Sequence, residues 1–244
     1  MSASGQTRTA IVTGASSGIG QTLAGHLLDR GFRVAGFARW RNVPPPARSG
    51  FEPVTVDLSD PGAIEPALQT VLAGFDQQLD LLVNAAGFGR FPPHRHLDPV
   101  VLASMVSVNL TAPMVLCGLC LPALEARQGR MVNIASVTAR HLGKRGAAYA
   151  ATKAGLLHFS RNLFEEVRKS GVSVSTLIPD LTATPFYDNL DFAPAPDPEA
   201  SVDLQAMRQA LDAILDAPRG TVIEEITLRP RRLLIEKRPA SPKR

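Results

Sequence analysis

Cysteine is nearly absent from these 244 residues: there are two, Cys117 and Cys120, both inside the apolar run APMVLCGLCLPAL (112–124). That excludes a disulfide framework, and two thiols alone cannot complete a four-ligand zinc site. Their C-x-x-C spacing would suit a redox centre at a helix N-terminus, where the dipole favours thiolate; mid-run they read as small buried residues. The five histidines show no metal-ligand spacing, and His94 and His96, set among prolines, read as loop residues, so no metal is expected. Long hydrophobic runs are missing too. The longest, 112–124, is too short to cross a bilayer and reads as a buried helix or helix–helix interface. The first nine residues, MSASGQTRT, hold no signal-peptide core, so the expected compartment is the cytoplasm, with no membrane partner.

The net charge of +4 raises the question of a polyanion partner. From Arg229 onward, RPRRLLIEKRPASPKR carries seven Lys or Arg against one acid, so the rest of the chain stands at −2. The basicity belongs to a tail and not to a groove, and no nucleic-acid partner is expected.

What is present is a rhythm. Short apolar runs at 9–14, 33–38, 53–57, 79–84, 130–135, 172–178 and 222–228 read as strands. Between the first two lies GQTLAGHLLDRG, apolar at Leu23, Leu27 and Leu28, with Gly31 as a C-cap. Residues 149–169 place Leu156, Phe159, Leu163 and Val167 on one helix face. The alternation predicts an α/β fold: one Rossmann-type, doubly wound domain with a seven-stranded, mainly parallel sheet flanked by helices on both faces. The core is expected over about 8–230, with 231–244 as a basic C-terminal tail. The proline-rich stretches 42–50 and 192–200 read as loops, the second standing where a lid would connect the sixth strand to the last helix.

After the first strand, TGASSGIG (13–20) opens a helix, and Gly14, Gly18 and Gly20 allow a sharp turn and close approach to a pyrophosphate. A further absence then selects the dinucleotide. Between Asp29 and Glu52 there is no acid to accept from adenosine ribose hydroxyls. The second strand ends instead in FARWR, with Arg39 and Arg41, and a guanidinium can bind a 2′-phosphate bidentately. NADP(H) is the expected cofactor, read by Arg39; NAD(H) is the alternative.

Only two tyrosines are present, and one, Tyr149, stands four residues before Lys153 in GAAYAATKAG. The pair shares a helix face, and a nearby ammonium together with a cationic oxidised nicotinamide is expected to lower the tyrosine's pKa. Ser136 ends the fifth strand, at the sheet edge where ligands bind. Ser136 and Tyr149 could therefore reach one carbonyl oxygen, Ser136 donating a hydrogen bond and Tyr149 a proton.

With TGASSGIG, VDL (56–58), NAAG (84–87), VNL (108–110), Ser136 and YAATK in this order, the sequence resembles the short-chain dehydrogenase/reductase family over residues 8–230. The resemblance implies a catalytic tetrad of Asn109, Ser136, Tyr149 and Lys153. It implies cofactor contacts from Gly14, Ser16, Ser17, Gly18, Ile19, Gly20, Arg39, Asp57, Leu58, Asn84, Gly87, Tyr149, Lys153, Pro179 and Thr184. It also implies a homodimer or homotetramer paired through helices of the 97–121 and 149–169 type. Pro113, four residues after Asn109, is expected to leave the Asn109 carbonyl unpaired and kink the helix there. Two positions depart from the family pattern: Ala85 stands for Asn, and Asp180, for Gly, reads as a solvent-facing charge. The loops after strands four to six offer Phe88, Arg90, Val137, His141, Leu181, Phe186 and Tyr187 to a small carbonyl or alcohol substrate. An aldehyde, ketone, hydroxy acid, keto-ester or steroid-like alcohol would each suit this mixture. A dinucleotide-binding subunit without catalysis is the remaining alternative.

Overall fold

The computed structural model describes residues 7–41, 43–218 and 220–238. In chain order the elements are β1 (Thr9–Thr13), α1 (Gly18–Asp29), β2 (Arg33–Ala38), β3 (Phe51–Thr55), α2 (Pro61–Gly74), β4 (Leu81–Asn84), α3 (Pro99–Val106) and α4 (Ala112–Glu125). There follow β5 (Arg130–Ile134), α5 (Ala147–Val167), β6 (Ser173–Pro179), β7 (Phe192–Pro194), α6 (Leu204–Leu215), β8 (Glu225–Leu228) and β9 (Ile235–Lys237). Seven strands form one sheet in the order β3-β2-β1-β4-β5-β6-β8, and every neighbouring pair is parallel. The doubly wound α/β fold expected from the sequence is the fold observed. β3 begins two residues earlier than expected because the chain tolerates Pro53 on an edge strand, where a missing N–H costs no ladder bond.

Helices cover both faces, which is why the central strands are apolar almost without a break. Against one face Phe37, Leu68, Leu116, Leu124 and Leu163 form the core. Against the other, Leu23 and Leu27 of α1 meet Met207 and Leu211 of α6. The strand order reverses between β1 and β4, and this opens a crevice at the carboxyl ends of the strands.

Two stretches differ from expectation. Just before Pro113, where a kink is expected, the chain takes a π-helical turn, Ser107–Thr111, in which Ala112 N–H donates to the Ser107 carbonyl five residues back. α3, this turn and α4 thus form one helical rod, Pro99–Glu125, of 27 residues. The apolar run 112–124 is half of it, and the whole is long and apolar enough to cross a membrane by length and composition. One side of the rod packs on the sheet and α5, while Val100, Val106 and Met114 face outward.

The basic tail also has structure. β9 pairs antiparallel with β7 through Phe192↔Lys237, Ala193↔Glu236 and Pro194↔Ile235. Residues 239–244 of the tail lie outside the described residues.

Candidate active site

At the cofactor end, Gly14 (φ +69°) and Gly18 (φ +54°) are both left-handed, a conformation that costs glycine little. A Cβ on Gly14 would stand 2.9 Å from the Ala86 backbone, and one on Gly20 would collide with the Gly14 carbonyl. Asp60, Asp98 and Asp203 cap α2, α3 and α6 with their carboxylates, but the Ser17 side chain at the N-cap of α1 accepts no backbone N–H. The first-turn donors of α1 are left without a side-chain cap, between Ser16 and Ile19, as a dinucleotide pyrophosphate requires. Across the crevice Thr184 stands over Gly18, where a Cβ would lie 3.3 Å from the Thr184 Cβ. Thr13 Oγ1 accepts from the N–H groups of Ala85 and Ala86, both at 3.0 Å, and fixes the loop after β4 against this cradle. These features fit a nicotinamide dinucleotide.

Arg39 follows β2 and is exposed. With Arg41, 3.7 Å from Asp57, it brackets the carboxylate after β3. Hydrogen bonds from Ser59 hold the Asp57 carboxyl below its usual range, and the two guanidinium charges add to the effect. Trp40 between them takes φ +48° and donates its indole N–H to the Val54 carbonyl at 3.2 Å, anchoring the arginine pair to β3. Leu58 is buried beside this turn. Asn84 is buried, and its amide donates to Asn133 Oδ1 at 2.9 Å. Asn133 in turn donates to Ser160 Oγ at 2.8 Å, and Ser160 to the Leu156 carbonyl. This buried chain ties β4 and β5 to α5 and thereby positions Tyr149 and Lys153. Pairing Asn84 with Asn133 and Ser160 needed the register of three elements, so no local pattern announced it.

At the catalytic end, the Asn109 side chain grips the loop after β4 twice: Oδ1 accepts from Phe88 N–H at 3.0 Å and Nδ2 donates to the Phe88 carbonyl at 2.9 Å. Nδ2 also donates to Thr152 Oγ1 on α5. Gly87 brings the same loop against Lys153, where a Cβ would stand 3.4 Å from Nζ. Ser136 Oγ accepts from both the N–H and the hydroxyl of Thr138, at 3.2 and 3.0 Å. Its own proton is therefore available to Tyr149, with which it hydrogen-bonds. Thr138, which sequence reasoning passed over, sets that donor direction.

From the protein's own groups the Tyr149 pKa is raised. Burial pushes the phenol well above its ordinary value, Tyr187 adds to the rise, and only the Ser136 hydrogen bond opposes it. Lys153 does not help, because its Nζ donates to the Ile134 carbonyl at 2.8 Å and lies 5.9 Å from the Tyr149 ring centre. Burial lowers Lys153 itself to about 8. In this structure desolvation outweighs the attraction that the i, i+4 spacing suggested. Burial likewise pushes the Cys117 thiol up to about 12, and both cysteines are free and buried.

The loop candidates divide. Leu181, Phe186 and Tyr187 gather beside Tyr149, with the Phe186 ring 5.8 Å from it. Val137 is buried behind Ser136, and His141 is exposed. Arg90 donates to the Gly89 carbonyl and lies over the Phe88 ring, away from the cluster. Two residues that the sequence did not single out complete the group. Phe91 packs 5.3 Å from Tyr149, and Phe192 packs 5.2 Å from Phe91. Asp180 corrects the sequence reading. Its side chain is 9% exposed, accepts from Leu181 N–H and pairs with Arg229 at 3.1 Å instead of facing solvent. Pro179 ends β6 immediately before it, buried.

The short chain dehydrogenase family model matches residues 8–193. The chain belongs to the short-chain dehydrogenase/reductase family. It is an oxidoreductase of that family, whose members bind nicotinamide dinucleotides. An uncharacterized oxidoreductase of Staphylococcus haemolyticus is 29% identical over 91% of this chain and 97% of its own length. A 3-oxoacyl-[acyl-carrier-protein] reductase of Salmonella typhimurium is 33% identical over 72% of this chain and 74% of its own. Among solved structures, a metagenomic short-chain oxidoreductase in complex with NADP superposes with TM-score 0.75 at 28% identity, covering 91% of this chain and 96% of the other.

Proposed function

We propose that the protein is an NADP(H)-dependent reductase or dehydrogenase interconverting a carbonyl and an alcohol, the whole chain acting as one catalytic domain. The observation that carries the reading is the convergence of Ser136, Tyr149, Lys153 and Asn109 at the carboxyl edge of the sheet, beside an uncapped helix cradle. When bound, the dinucleotide supplies or accepts the hydride. The protein's own part is to hold and move a proton. Tyr149, kept neutral by burial, donates its phenolic proton to the oxygen of the substrate; Ser136 donates a hydrogen bond to the same oxygen; Lys153 stands as the next proton source. Asn109 holds the loop at 87–88 so that Gly87 lies against the Lys153 ammonium.

Arg39 is the basis for NADP(H). A charge reversal, Arg39→Asp, removes a guanidinium from a 2′-phosphate and places a repelling carboxylate there. NADPH affinity is expected to fall by about a hundredfold, with NADH affinity changed by less than about threefold. Parallel fluorescence titrations with the two cofactors read this out. Equal losses for both would remove Arg39 from the 2′-phosphate and reopen the NAD(H) reading.

A homodimer or homotetramer fits the outward apolar face of the 99–125 rod, where Val100 is 77% and Met114 42% exposed. Sedimentation velocity is expected to show a dimer or tetramer that Met114→Glu shifts toward monomer; an unshifted Met114→Glu protein would put the interface elsewhere. The two free, buried thiols fit a reducing compartment, the cytoplasm.

A further inference from the structure

Tyr149 has to meet a substrate oxygen, yet it is 8% exposed. What covers it is aromatic. The Phe91 ring contacts Tyr149, Phe186 and Phe192, and Tyr187 contacts Phe186 and Phe192. Phe91 has no room to move sideways without its neighbours: a Cβ on Gly89 would stand 2.6 Å from its ring, and one on Gly146 would stand 2.5 Å from it. The outer wall of this group, Phe192, belongs to β7, and β7 is held by the chain's own C-terminal segment.

That attachment runs the length of residues 231–238. Arg232 N–H donates to the Glu199 carbonyl, Ala195 N–H to the Leu234 carbonyl and Arg238 N–H to the Asp191 carbonyl, with the β7–β9 ladder between them. Arg232 also pairs with Asp197 at 3.1 Å. From the opposite side, Arg145 before α5 holds Asp191 with two hydrogen bonds of 2.8 and 2.9 Å. A two-stranded ribbon has little stability alone, so β7 and β9 depend on the rings beneath them, and the rings on the ribbon. Exposed ion pairs contribute little each. Such a unit is suited to opening locally while the main sheet stays folded.

We infer that residues 231–238 are a strap that closes an aromatic cover over Tyr149, and that the strap thereby restricts the substrate to compact carbonyl compounds. The size restriction rests on the carbonyl reading above; the cover does not. Beside the rings, Arg145 is committed to Asp191 and Asp180 to Arg229.

The chain's only two tyrosines, Tyr149 and Tyr187, both lie under the cover, so nitration by tetranitromethane reports on it without any substrate. Three full-fold proteins are compared: the complete chain, a chain ending at Pro230, and the complete chain carrying Phe192→Ala. The last keeps the proposal testable if the shortened chain fails to fold. Nitration, located by peptide mass, is expected to be at least about fivefold faster in both variants. The kcat/KM ratio of a bulky to a compact aryl ketone is expected to rise at least about tenfold. Nitration no faster than in the complete chain overturns the strap. Faster nitration with an unchanged ratio overturns its role in selecting substrate size. Faster nitration in proteins that reduce no carbonyl with either cofactor upholds the strap and removes the carbonyl reading.

Discussion

Replacing Tyr149 by Phe is expected to reduce kcat for carbonyl reduction by about a thousandfold, the middle of the range for loss of a positioned general acid. The reason lies in what the substitution keeps. The ring still packs against Phe91 and Phe186, and the hydroxyl's only polar partner given by the structure is Ser136, which retains both bonds from Thr138. NADPH affinity is therefore expected within about twofold of the parent, because the glycine cradle and Arg39 are untouched. The pH dependence of the parent follows from the same groups. Tyr149 is held protonated by burial, so it stays an acid through neutrality, while Lys153, lowered to about 8, carries a proton below that pH and loses it above. Reduction should thus hold steady up to about pH 8 and decline beyond it. A Tyr149→Phe protein with near-parental kcat would assign the proton to another group.

Much of this site was legible in the chain because the determining patterns are local. Gly14, Gly18 and Gly20 follow a strand and open a helix, and Tyr149 and Lys153 share one helix face; neither statement needs knowledge of a partner element. The seven parallel strands were legible for a similar reason, since each is a short apolar run bounded by turn residues. What escaped the sequence depends on elements far apart in the chain. The hydrogen bond from Asn84 to Asn133 depends on the register of β4 on β5. Asp180 looked solvent-facing until β8 placed Arg229 beside it. Phe192 sits in a proline-rich stretch that reads as plain loop, and only its pairing with Lys237, forty-five residues on, makes it part of the wall around Tyr149. The rise of the Tyr149 pKa from the protein's own groups has an energetic reason. Spacing gives the direction to Lys153, but burial depth, which spacing does not encode, decides whether attraction or desolvation wins.

Lys153 joins stability to chemistry most directly. The residue is 4% exposed, its Nζ donates to the Ile134 carbonyl, and burial lowers its pKa from 10.5 to about 8. A lysine whose folded pKa lies below its unfolded value makes the unfolded chain the better proton binder between those two values. Stability must then rise with pH across the window from about 8 to 10.5, and below it the fold bears a cost of about 3 kcal/mol. Lys153→Met keeps the apolar stem and removes the charge. It leaves the Ile134 carbonyl without its donor, a loss of about 1–2 kcal/mol, so net stabilisation of about 1–2 kcal/mol is expected at pH 7. The urea midpoint should rise accordingly, and the rise of stability between pH 8 and 10.5 should flatten. Turnover should meanwhile fall by at least about a hundredfold, since Tyr149 loses the proton source one helical turn away. A more stable protein that has lost its chemistry is the signature of a lysine retained for function; a less stable one would mean that the ammonium is better accommodated at Ile134 than its burial implies.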